Sequence, residues 1–198
     1  MANGAPVLSA LGIAGLLLAG RGLEASDTLP PVMVHLRDYA AVPAFVLDGA
    51  RHEATRIFRA AGVELAWGEL ADTGTTDPGT LNLRLLILSR EMMDLQCQSG
   101  RMPVDAGTLG LASRAEAHAF ILYPHLVAHV DPHSLDLPML LGRVFAHEIG
   151  HLVMPQEGHS NTGIMRARLD TRGPTPHFTS AQATAMRVAL SGDTGAVR

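Results

Sequence analysis

The sequence predicts an α+β domain: a twisted mixed sheet of about five strands with a backing helix, a long buried helix and a C-terminal helix. Three observations carry this expectation. Short apolar or alternating runs recur up to Tyr123, three stretches place apolar residues at helical spacing, and no composition shift divides them. The 198 residues are 47% hydrophobic and 17% charged, which suits one domain with a real core.

Pro31-Val-Met-Val-His-Leu-Arg37 alternates and reads as a first strand. Pro43 stands where a first helical turn tolerates it. From Phe45 to Phe58 apolar residues then recur at helical spacing until Gly62 stops them. Val63 to Trp67 reads as a second strand, and Leu81 to Leu88 as a third whose apolar end implies a central position. Gly107 to Ser113 is short and glycine-rich, as an edge strand often is. Ala117 to Tyr123 is a fifth, mostly apolar strand. A helix from about Leu137 to Val153 carries apolar residues around most of its circumference, so both sides should be buried. Residues 155–176 lack periodicity and read as loop. Thr179 then caps a last helix through Leu190, with Gln182 completing a capping box.

A net charge of −4 with scattered Lys and Arg gives no support for nucleic-acid binding. Pro6 to Gly20 is uncharged and rich in Ala, Leu and Gly; at about 15 residues it is short of the roughly 20 a spanning helix needs. It resembles the apolar part of a secretory signal, with residues 1–25 removed near Ala25 and the remainder secreted or periplasmic. No Lys or Arg precedes the run. Cys97 is the single cysteine, so no intramolecular disulfide can form. A partly buried apolar role suits it.

The chemistry concentrates in His147-Glu-Ile-Gly-His151, followed by His159 and Gly163-Ile-Met165. Histidines four apart project from one helix face and can grip one divalent ion. Glu148 points about 100° away, which suits a base acting on metal-activated water better than a ligand. A catalytic zinc site needs a third protein ligand and an open position. Glu157 and His159 are the candidates, and His159 is preferred because its imidazole matches the other two. Ser160 and Asn161 suit a turn. Met165 either plugs the core beneath this loop or forms an apolar floor under the metal.

His147-Glu-x-x-His151, a later histidine and a Met-containing turn resemble the metzincin clan of zinc endopeptidases. The resemblance extends to the order of strands and helices from Pro31 to Leu190. It implies a metzincin-like sheet and active-site helix, a Met-turn at Met165, one catalytic Zn2+, and a peptide or protein substrate added along the edge strand near Gly107 to Ser113. Two departures are plain. Where that clan has a Gly and then a His, this chain has Met154 and Glu157, and His159 follows two residues later. A longer turn using Pro155 and Gly158 must replace the sharp one.

The alternative is a non-catalytic zinc-binding or interaction domain that retains the fold, and an intact Glu148 speaks against it. Another hydrolase chemistry, such as amide hydrolysis outside peptides, would use the same site. Arg166, Arg168 and Tyr123 read as surface or strand-end residues. His125, His129 and His133 are spaced by four but flanked by Pro124 and Pro132, and read as a polar loop. His35, His52, His118 and His177 stand alone. No long pro-segment is expected between the cleavage site and the first strand.

Overall fold

The structure, a computed structural model, describes Met1 and residues 31–69, 80–100, 105–130, 136–155, 158–169 and 176–192. The signal-like run, Glu157 and His133 lie outside the described residues. The chain runs β1 (Val32–Asp38), α1 (Ala44–Ala60), β2 (Leu65–Glu69), β3 (Asn82–Leu88), α2 (Arg90–Gln98), β4 (Gly110–Ser113), β5 (His118–Leu122), α3 (Tyr123–His129), α4 (Asp136–Val153) and α5 (Ser180–Leu190). The five strands form one sheet in the order β2-β1-β3-β5-β4. All neighbours are parallel except β4, which runs antiparallel to β5 at the edge. This is the mixed α+β sheet the sequence predicts, with β3 in the middle.

Alternation along the strands separates two faces. Val32, Val34, Leu36, Leu83, Leu85, Ile87, Ala119 and Ile121 are buried in the main core with α1 and α4. Leu88 and Leu122 point to the other face and pack with Met93 of α2, where Cys97 lies half-buried. The helix α2 is absent from the sequence reading. Ser89 accepts the amide of Met92 at 3.3 Å and caps it, but only Met93 is buried, so little apolar periodicity marks it. The expected polar loop at His125 and His129 is also corrected: α3 covers both, and Pro124 stands in its first turn, where a missing N–H costs nothing.

The helices α1 and α4 approach closely through small residues. A Cβ on Gly142 would lie 2.6 Å from the Glu53 Cβ and 2.7 Å from the Ala50 carbonyl oxygen, and one on Gly49 would lie 2.7 Å from the Pro138 Cβ. Glu53 is buried there and accepts from Arg56 at 2.8 and 3.0 Å, with Arg143 Nε 3.9 Å away. Buried on nearly every side, α4 is held rigidly, each large apolar side chain contributing about 1.5–3 kcal/mol. The capping box at Thr179 and Gln182 is present. Just before it, Phe178 meets Phe58 edge-on at 4.9 Å between centroids. Among the described residues no helix is long and apolar enough to cross a membrane.

Candidate metal centre and cleft

His147 and His151 stand one turn apart on α4, and their Nε2 atoms approach to 3.1 Å. His159 comes from the loop beyond the helix. Its ring lies 5.2 Å from that of His147 and 5.0 Å from that of His151, centroid to centroid. One ring nitrogen from each falls within 4.8 Å of the others. The structure thus brings together all three histidines singled out in the sequence. Gly158 adopts a left-handed φ of +105°, which lets the longer connection turn back toward the helix. His147 is buried, His151 half-buried and His159 exposed, so the cluster opens to one side.

The donor set fits a divalent cation. The Nδ1–H of His147 donates to the Ile164 carbonyl at 2.8 Å, which leaves Nε2 as a lone-pair donor facing its neighbours. Burial pushes the His147 imidazole below its ordinary value, and it lowers His151 to about 4, with the neighbouring histidines adding to the shift. Both rings are therefore neutral at neutral pH, as metal ligation requires. Unprotonated nitrogens 3.1 Å apart match two corners of a tetrahedron with bonds of roughly 2.0–2.1 Å.

The Ile164 carbonyl was not legible as a site group, yet it fixes the tautomer of His147. It is aimed by the Gly163-Ile164-Met165 turn. Gly163 has φ +74° and no room for a side chain, because a Cβ would meet the His177 carbonyl oxygen. Ile164 donates its amide to that same His177 carbonyl at 3.0 Å, and Ser160 donates its amide to Met165 at 2.8 Å. Met165 is wholly buried. A Cβ on Gly150 would lie 2.7 Å from its sulfur, so the glycine between Glu148 and His151 admits Met165 against the helix. Met165 thus fills the core beneath the helix turn between Glu148 and His151.

Glu148 is 5% exposed, and burial pushes its carboxyl up to about 8. It rests on β4: a Cβ on Gly110 would lie 2.5 Å from its Oε1. The histidines and Glu148 line a cleft of about 1120 Å³, walled on one side by residues of β4 and on the other by Gly158 and Leu169. Arg168 and Arg114 stand at its margins, with His129. Arg166 is exposed, Tyr123 opens α3, and Cys97 belongs to the opposite face of the sheet. His35 pairs with Asn82 at 2.9 Å, His118 with Glu116 at 3.3 Å, and His52 is exposed.

No protein-family model matches the chain, and no curated protein matches it. Among solved structures the chain is similar to a zinc-dependent peptidase from Methanocorpusculum labreanum. The TM-score is 0.44 and the identity 15%, over 79% of this chain and 99% of that one.

Proposed function

We propose that the protein is a metzincin-like zinc metallopeptidase, an endopeptidase that uses Glu148 as its general base. The observation that carries this reading is the convergence of His147, His151 and His159 beside a buried carboxylate in an open cleft. The three imidazoles would hold a zinc ion, which when bound would supply an activated water and polarise the scissile carbonyl. Glu148 accepts a proton as the water oxygen attacks the carbonyl carbon, and delivers it to the amide nitrogen as the C–N bond breaks. Burial holds that carboxyl high, and a cation bound beside it would draw it back toward the range of a working base. The edge strand β4 receives the substrate as an added strand. The uncharged run Pro6 to Gly20 supports export, to the periplasm or the medium.

Metal analysis of the purified protein together with cleavage of an unfolded, casein-like substrate tests the reading. The protein should carry one zinc per chain and lose cleavage on chelation. Glu148→Ala should keep zinc and lose about 10²–10⁴-fold in rate. Zinc bound equally by parent and variant, with neither cleaving a broad peptide library, would establish a non-catalytic binding domain instead.

A further inference from the structure

The strand β4 has one free edge, and its polarity follows from the ladder on the other side. Leu122 donates its amide to the Leu109 carbonyl at 2.9 Å, and the register sets Gly110 opposite Ile121. Alternation in an antiparallel pair then turns the main-chain groups of Leu109, Leu111 and Ser113 toward β5, and those of Thr108, Gly110 and Ala112 outward. The outward row is what an added peptide strand uses. Thr108 is already committed at both groups. Its amide donates to the Asp105 carbonyl at 3.1 Å, and its carbonyl accepts from His125 Nδ1 at 2.6 Å. The usable row therefore starts at Gly110, the residue Glu148 rests against, and extends only toward Arg114.

Arg114 stands just past the end of β4. Its Nη1 donates to the Pro155 carbonyl at 2.8 Å, just beyond the end of α4, which holds the guanidinium at that end of the cleft. One N–H is spent on Pro155, and the remaining donors of an exposed guanidinium match a carboxylate. At the opposite end, Asp105 is occupied in its own turn, accepting from the Gly107 amide and the Thr108 hydroxyl at 2.9 Å each.

We propose, on the peptidase reading above, that the cleft grips its substrate on one side of the scissile bond only. The peptide pairs antiparallel with Gly110 and Ala112, and Arg114 reads an acidic side chain on the N-terminal side of that bond. Antiparallel pairing is the more stable mode per residue, and it sends the peptide's N-terminus toward Ser113. With Glu148 level with Gly110, the guanidinium stands level with about the fourth residue before the cleaved bond, counting residue for residue along paired strands.

The test uses zinc-loaded full-length protein and quenched fluorescent peptides sharing one cleavable core, with a single Glu or Lys moved through every position. Glu about four residues before the bond should exceed Lys there by about fivefold in kcat/KM, mostly through KM. Arg114→Glu should reverse the preference and Arg114→Lys should keep its sign. Removing the residues paired with β4 should cost about tenfold, whereas trimming beyond the second residue after the bond should cost little. A charge preference on the C-terminal side, or a profile unchanged in Arg114→Glu, would overturn the proposal. If no peptide is cleaved, the peptidase reading falls by itself. Fluorescence anisotropy on zinc-loaded Glu148→Ala protein then decides the Arg114 proposal. Tighter binding of the Glu peptide that vanishes with Arg114→Glu supports it, and equal binding overturns it.

Discussion

Gly110 and Glu148 show how one missing side chain can set the position of a buried carboxyl. The carboxyl occupies the space a Cβ would take, 2.5 Å from Oε1 and 2.7 Å from Cγ. Gly110→Ala should therefore displace Glu148 while leaving the three histidines in place. The expected result is a loss of about 100-fold in kcat, the scale of a misplaced reacting group, with zinc affinity unchanged in a chelator competition. The same carboxyl and its histidine neighbours give the metal-free protein a defined pH response. Glu148 titrates near 8 when folded against an ordinary 4.5, so the unfolded chain releases this proton first and stability falls as pH rises from 4.5 to 8. His151 titrates near 4 against an ordinary 6.5, so stability falls as pH drops from 6.5 to 4, and His147 adds in the same sense. Between pH 4.5 and 6.5 His151 offsets the carboxyl and His147 tips the balance toward stability that rises with pH, and the carboxyl acts alone above 6.5. Urea midpoints of chelator-treated protein should peak near the ordinary histidine value of 6.5. A cation beside Glu148 should flatten the alkaline arm.

At the level of elements, the turn from Ser160 to Arg166 matters as much as the helix it serves. Its ends form a β-bridge, and Gly163 at φ +74° allows the Ile164 carbonyl to reach His147. Gly163→Ala should lower zinc affinity about 10- to 100-fold, as loss of a ligand's orienting partner does, and isothermal titration would measure it. The histidine cluster was legible because helical spacing and residue type are local properties; α4 was legible because apolar residues surround it. The strands β1, β3, β4 and β5 were legible from alternation, apolar runs and glycine. The helix α2 was not, since its one buried residue, Met93, leaves no periodic stripe. The helix α3 carries no helical signature in the sequence, because Pro124 looks like a breaker unless its place in the first turn is known. Main-chain partners such as the carbonyls of Ile164 and His177 carry no side-chain signature, so no sequence pattern announces them.

Across the whole molecule, the first three strands and α1 form a scaffold behind α4, and every candidate catalytic group lies between Gly110 and Met165. A zinc ion that bound only the folded arrangement should stabilise it by about 2.7 kcal/mol at one hundred times Kd, and the thermal midpoint should rise with free zinc accordingly. Calorimetry with and without chelator checks this. The scaffold is joined to the metal centre from the other side as well. The Ile164 carbonyl accepts a hydrogen bond from His147 and its amide donates one to the His177 carbonyl, so the residue is fastened between an imidazole and the approach to α5. Its amide is consequently a built-in reporter: loading the site should slow its exchange with deuterated solvent, and nuclear magnetic resonance could follow occupancy there without touching the ion.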